Sequence, residues 1–165
     1  LNKRYLSYFA AVLLAFLIIA PGITSACETY TNVSVSEAKN LIEEGDIFIL
    51  DVRTPAEYNL GHIEGAVLIP LKNVPANSTA LSPEELLPAR MKELPCNKNT
   101  KILAYCKVGK RGAEASSLLA DAGYKNVYNI DYGIDQWVKE GYPIVATYES
   151  WNNVWYLLLS PQQKC

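Results

Sequence analysis

The chain has 165 residues, half of them hydrophobic, with 19% charged and only 9 glycines and 9 prolines. That composition excludes a disordered tail, a collagen-like repeat and a coiled-coil rod. Fifteen Lys and Arg stand against 17 Asp and Glu, a formal net charge of −2, so no nucleic-acid-binding basic face is implied. The four cysteines, Cys27, Cys96, Cys106 and Cys165, show no C-x-x-C spacing. With His62 as the single histidine, a zinc site of the usual kind is not expected.

The apolar residues are unevenly spread. Leu1 to Ala26 holds no acidic residue and only Lys3 and Arg4 as charges. Lys3-Arg4 followed by the apolar run Tyr5 to Ala20 reads as the n-region and h-region of an export signal. Pro21-Gly22 breaks the helix, and Thr24-Ser25-Ala26 supplies small residues before Cys27. Residues 1–26 are therefore expected to be a signal peptide or a membrane anchor. Cleavage after Ala26, a lipid on Cys27 and retention of the leader all remain open, although roughly 16 apolar residues are short for a bilayer span. The expected location is outside the cytoplasmic membrane, periplasmic or otherwise exported, with or without a tether.

Residues 27–147 are expected to form one domain. Ser34-x-x-Glu37 is a capping box, and Val35, Ala38, Leu41 and Ile42 follow at helical spacing as far as Gly45. Ile47-Phe48-Ile49-Leu50 is too short for a buried helix and fits a strand covered on both faces. Thr54 then caps a short helix with Pro55 in its first turn, ending before Gly61. Ala66 to Ile69 gives another strand, and Lys72 to Leu81 a loop rich in Asn, Ser and Pro. Ser82-Pro83 starts a helix that Pro88 should kink or split.

Ile102 to Tyr105 is a strand, and Gly112 to Ala122 a helix with Ala113, Leu118, Leu119 and Ala122 inward and Gly123 as its cap. Val127 to Ile130 is a strand, and Gly133 to Glu140 a final helix stopped by Gly141. With a first strand near Tyr30 to Val33 there are five. Strands separated by helices imply an α/β fold, a doubly wound and mainly parallel five-stranded sheet with helices on both faces. Ligands in such sheets lie beyond the carboxyl ends of the strands, which directs attention to the segments after Leu50 and Tyr105.

The second of these runs Cys106-Lys107-Val108-Gly109-Lys110-Arg111-Gly112. Gly109 and Gly112 let the backbone curl so that successive N–H groups converge, and the following helix aims its positive end at the same point. Lys107, Lys110 and Arg111 add cationic side chains. Each feature favours thiolate over thiol and marks Cys106 as a nucleophile. The competing reading, an inert cysteine at a strand end, does not account for the Gly, Lys and Arg that follow it.

Here the chain resembles a single-domain rhodanese, of the sulfurtransferase homology family. Asp51-Val52-Arg53-Thr54-Pro55-Ala56-Glu57-Tyr58 is similar to the family's first motif, and Gly61-His62-Ile63-Glu64-Gly65-Ala66 with Ile69-Pro70 to its second. Cys106 to Arg111 is similar to the active loop, with Ala113, Gly133 and Trp137 following in order, over about Val33 to Pro143. The resemblance implies a doubly wound sheet, no cofactor or metal, and a sulfane sulfur carried as a persulfide on Cys106. The donor would be thiosulfate or a persulfide, and the acceptor cyanide or a thiol.

By the same resemblance the backbone amides of Lys107, Val108, Gly109, Lys110 and Arg111 would cradle the outer sulfur. Arg111 would brace the loop, with Asp51 as its expected carboxylate. Gly112 stands where the family often has Ser or Thr, and Tyr132 stands for a glycine before Gly133. Both departures bear on substrate preference. Only four residues separate Cys106 from Arg111, a ring that suits a sulfur atom better than the oxygens of a phosphate ester. A second class of function is a sulfur carrier or protein-binding module with little turnover of its own.

His62 is read as a structural residue rather than a general base, and Trp137 as core. Arg53 has two candidate partners, Glu57 at i,i+4 or a backbone carbonyl. Lys101 to Tyr105 as a strand spans roughly 16 Å, which puts a Cys96–Cys106 bridge out of reach of disulfide geometry. Residues 148–165, with Trp151, Trp155 and Leu157 to Leu159, form an apolar extension. It is read as packing back on the domain, or as a dock for a protein partner or membrane surface.

Overall fold

The computed structural model describes residues 30–74 and 80–146. The leader, Cys27, the 148–165 extension and Cys165 lie outside the described residues. Strand β1 is Thr31–Val33, helix α1 Val35–Glu44, β2 Ile47–Asp51, α2 Pro55–Leu60 and β3 Val67–Leu68. A 3₁₀ turn Pro83–Glu85, helix α3 Leu87–Arg90 and a second 3₁₀ turn Met91–Glu93 follow. Strand β4 is Lys101–Tyr105, α4 Lys110–Asp121, β5 Asn126–Ile130 and α5 Gly133–Lys139. The five strands form one sheet in the order β1-β5-β4-β2-β3, every pair parallel. The doubly wound fold read from the sequence is the fold observed.

Local chemistry places the ends of these elements. Both α1 and α2 begin with complete capping boxes, Ser34 with Glu37 and Thr54 with Glu57. Each satisfies two backbone donors that a helix start otherwise leaves bare. Leu86 is extended between the turn at Pro83 and α3, so the proline-rich stretch is in pieces, as Pro88 predicts.

The sheet buries both faces. Along β4, Ile102 and Ala104 join Leu50, Ile69, Leu87 and Leu119 on one side. Leu103 and Tyr105 join Ile49, Ile130, Ile134 and Trp137 on the other. Fully burying each large apolar side chain contributes roughly 1.5–3 kcal/mol, and the alternation makes β4 the centre of both cores. Its last residue, Tyr105, pairs with Asp51 at the end of β2. The residue after each strand therefore emerges on one edge, side by side.

The sequence reading of α4 needs correction. Its buried residues are Gly112, Ala115, Ser116, Leu119 and Ala120. Leu118 is exposed, Ala122 is exposed and Ala113 is only half-buried. The helix starts at Lys110; Leu119 is buried as expected, and the small residues Gly112, Ala115, Ser116 and Ala120 complete the inward face in place of Ala113, Leu118 and Ala122. Cys96 is exposed, Cys106 is buried, and both are free thiols.

Candidate active site

Cys106 is the first residue after β4 and is only 1% exposed. The loop that follows turns at Gly109, whose φ of +86° is left-handed backbone. A Cβ there would sit 3.0 Å from the Tyr132 backbone nitrogen, so glycine meets both the angle and the approach. Helix α4 starts at the next residue. Its first N–H groups have no partner within the helix and lie at its positive end, beside the loop.

The first turn of α5 docks on the same loop from the other side. Ile134 N–H donates to the Cys106 carbonyl at 2.9 Å, and Asp135 N–H to the Lys107 carbonyl at 3.1 Å. Gly133 permits this contact: its φ is +61°, and a Cβ would fall 2.3 Å from the Cys106 oxygen and 2.6 Å from that of Lys107. With two loop carbonyls held by α5, the backbone anchors the start of the loop. The side chains of Lys107, Val108 and Lys110 are exposed, and Val108 is half uncovered.

Two arginine–carboxylate forks flank the loop, and they differ from the pairing expected. Asp51 is fully buried and bound to Arg53, whose Nε donates to both carboxylate oxygens at 2.9 Å and Nη2 to Oδ2 at 2.6 Å. The Arg53 backbone N–H also reaches Oδ1 at 2.9 Å. That leaves no room for Arg111. Arg111 instead donates Nη1 to Glu57 Oε2 at 2.8 Å and Nη2 to Oε1 at 2.6 Å. Glu57 is already aimed by the Thr54 cap at the start of α2, which presents its carboxylate to the loop.

The electrostatics follow from these contacts. Burial works against the Glu57 charge, but the Arg111 hydrogen bonds, the Thr54 backbone and the Arg111 charge outweigh it and bring its pKa down to about 2. Burial likewise opposes the Arg53 charge, yet the Asp51 hydrogen bond and charge leave its pKa raised. Burial first, then the Asp51 carboxylate, push the Tyr105 phenol up. Tyr105 Oη accepts the Ile63 N–H at 3.1 Å, and its ring lies 5.6 Å from the Arg53 guanidinium carbon.

The remaining residues singled out in the sequence fall as follows. Arg53 makes no surface pair with Glu57; its Nη2 donates to the Gly61 carbonyl at 2.6 Å, the carbonyl alternative. His62 stacks on Tyr58 with centroids 3.7 Å apart, and its Nδ1 lies 3.1 Å from the Tyr58 carbonyl. Its backbone forms an isolated antiparallel bridge to Val145. Trp137 is buried and donates Nε1–H to the Pro143 carbonyl at 2.9 Å.

Gly112 does not help the loop to curl. It lies inside α4, where a Cβ would meet Asn129 Oδ1 at 2.2 Å and Tyr105 Cα at 3.4 Å. Among the described residues no group of His, Cys, Asp or Glu could hold a metal ion. Sequence reasoning missed Glu57 as the partner of Arg111, and the signal was present in the Thr54-x-x-Glu57 capping box. It also missed Tyr105 and the contact between α5 and the loop, which depend on sheet register and carry no local mark.

The model of the rhodanese-like domain family matches residues 34–140. A sulfurtransferase of Allochromatium vinosum is 34% identical over 113 residues, 68% of this chain and 92% of that protein. Thiosulfate sulfurtransferase 18 of Arabidopsis thaliana is 34% identical over 124 residues, 73% of this chain and 88% of that one. Among solved structures, a rhodanese-related protein of Thermoplasma volcanium superposes with a TM-score of 0.56 at 28% identity, covering 70% of this chain and 98% of its own. The rhodanese-like domain of an Anabaena protein gives 0.58 at 27% identity, covering 74% and 83%.

Proposed function

The chain belongs to the rhodanese-like domain family, and on that footing we propose that it is a sulfurtransferase with Cys106 as its nucleophile. The observation that carries the reading is Cys106 itself, at the end of the central strand, with α4 opening behind its loop and Arg111 clamped to Glu57.

The chemistry is two displacements at sulfur. The Cys106 thiolate attacks the sulfane sulfur of thiosulfate, forming an S–S bond while sulfite leaves with the electron pair. The outer sulfur of the resulting persulfide then lies about 2 Å beyond Sγ. That extension carries it away from a cysteine which is itself buried. A cyanide ion or a thiol takes the outer sulfur, and the S–S electron pair returns to Sγ. The backbone N–H groups of residues 107–111 would hold the negative charge of the outer sulfur, the role that preorganised donors play at an oxyanion. Arg111 would hold the loop in that geometry through Glu57.

Replacement of Cys106 by Ser tests the proposal. Transfer from thiosulfate to cyanide should vanish, together with the one-sulfur mass increment on the peptide bearing residue 106. Survival of most of the activity would remove Cys106 from the mechanism.

A further inference from the structure

Tyr132 stands out because its backbone and its side chain make opposite demands. Its φ of +62° and ψ of −2° are left-handed, a conformation in which a bulky residue is strained and glycine is at ease. The ring recovers little of that cost by burial, since the residue is 66% exposed. Its side chain makes no hydrogen bond among the described residues, and its backbone N–H bonds only the neighbouring Asp131 carboxylate, at 3.2 Å. Nothing in the folding of the domain accounts for an aromatic residue at this position.

Its place does. Tyr132 lies between Gly109 of the cysteine loop, which its backbone approaches, and Gly133, its neighbour in sequence. Its nitrogen is the close neighbour of Gly109, and Gly133 beside it packs against the Cys106 and Lys107 carbonyls. The Tyr132 backbone therefore stands at the seam where α5 meets the loop, its side chain exposed, and half-exposed Val108 is on that same loop. Tyr132 and Asp131 also line a cleft of about 250 Å³ together with Asn32, Ser34, Gln136 and Glu140, and no Lys or Arg is in its wall.

We propose that Tyr132 selects the sulfur acceptor, its ring serving as the platform for an extended polypeptide whose cysteine takes the sulfur from Cys106. The inference rests on the sulfurtransferase reading and names the class of acceptor. Cyanide or a compact thiol needs only the mouth of the loop and gains nothing from a ring beyond it. A polypeptide laid over the ring buries apolar area there, and its backbone and basic flanking side chains meet the amides and carboxylates of the cleft. Such side chains complement Asp131 and Glu140, the latter also accepting Gln136 Nε2–H at 2.9 Å. In the transfer the acceptor thiol attacks the outer sulfur of the persulfide. A new S–S bond forms to the acceptor, the old one breaks with its electron pair on Cys106 Sγ, and the thiol proton passes to the transferred sulfur. No net oxidation occurs.

The test uses the 165-residue chain with thiosulfate as donor and three acceptors. These are cyanide, mercaptoethanol, and an unstructured peptide with a single cysteine flanked by Leu and Lys. Tyr132→Gly should lower kcat/KM for the peptide, relative to that for cyanide, by about tenfold and through KM, the size of one lost aromatic contact. Tyr132→Phe should restore the ratio. The melting temperature of Tyr132→Gly should not fall, because glycine relieves the left-handed strain. A ratio that Tyr132→Gly leaves unchanged would overturn the inference. So would a fall in melting temperature, which would show that the ring packs into the fold, or a mercaptoethanol response equal to that of the peptide. Absence of cyanide transfer by the unaltered chain would defeat the sulfurtransferase reading itself, an outcome distinct from an unchanged ratio with transfer intact.

Discussion

Arg53 and Arg111 each hold a carboxylate with a two-nitrogen fork, in very different surroundings. The Arg53–Asp51 pair is shut away, with side chains 6% and 0% exposed, and it is bonded onward to the Gly61 carbonyl. Removing one partner there would strand a buried charge, a loss of about 3–5 kcal/mol. The Arg111–Glu57 pair is 14% and 23% exposed and stands at the loop, where it can affect rate as well as stability. Because the fork spans both oxygens, a lysine cannot replace it. We expect Arg111→Lys and Glu57→Gln each to reduce transfer and Cys106 alkylation as strongly as Arg111→Ala does. Lys107→Ala and Lys110→Ala should change them little, since those charges are exposed and screened. Equal effects from Lys110→Ala and Arg111→Ala would mean that diffuse charge activates the thiol. The pH dependence has a definite sign. The Glu57 pKa is depressed from 4.5 to about 2, so its contribution is present above 4.5 and is lost as pH falls through that window. It is at most about 3 kcal/mol. Thermal melts of the unaltered chain and Glu57→Gln should therefore converge between pH 4.5 and 2.

At the scale of elements, the contact of α4 with β5 decides what residue 112 can be. The Gly112 Cα faces Asn129, whose Nδ2 donates to Asn32 Oδ1 at 2.8 Å and whose Oδ1 is buried without a partner. Serine at 112 would drive its Cβ into that oxygen. Gly112→Ser should cost about 1–3 kcal/mol by overpacking, and Asn129→Ser should recover part of that loss in the double variant. Chemical denaturation of the four species gives the coupling directly; strict additivity would show that the two residues do not compete for one space. This pair also shows why sequence reading succeeds in some places and fails in others. The capping boxes, the apolar runs of β2 and β4 and the turn at Gly109 are written in adjacent residues, so their positions were legible. The buried face of α4 was misread because Leu118 has the apolar signal but Gly112 and Ser116 have the fit. Asp51 was expected to pair with Arg111 because both leave the sheet on one edge. Arg53, two residues from Asp51, takes that carboxylate first.

For the whole molecule, the last described residues act as a strap that ties the end of the domain to the network around the site. Trp137 Nε1–H holds the Pro143 carbonyl, and Tyr142 packs on the Trp137 ring with centroids 5.0 Å apart. Val145 and His62 exchange two backbone hydrogen bonds of 2.8 and 2.9 Å. Between them Ile144 covers Gly61 so closely that a Cβ there would lie 2.7 Å from its Cδ1. The carbonyl of that same Gly61 receives Arg53 Nη2, so the strap bears on the loop that completes the Asp51–Arg53 pair. The family match stops at residue 140, before this strap begins. Residues 27–147 should accordingly fold with a single cooperative transition and transfer sulfur to cyanide, because both sheet faces are covered within that span. A chain ending at residue 140 loses the partly buried Tyr142 and Ile144, the Trp137 acceptor and the pair of bonds to His62. The loss is on the order of 3 kcal/mol, a large fraction of what holds a domain of this size. We expect the shorter fragment to melt well below the longer one, and its transfer rate to fall as the Gly61 carbonyl loses its support. Fragments ending at 140 and 147 with equal melting temperatures would show that the strap only rests on a domain already complete without it.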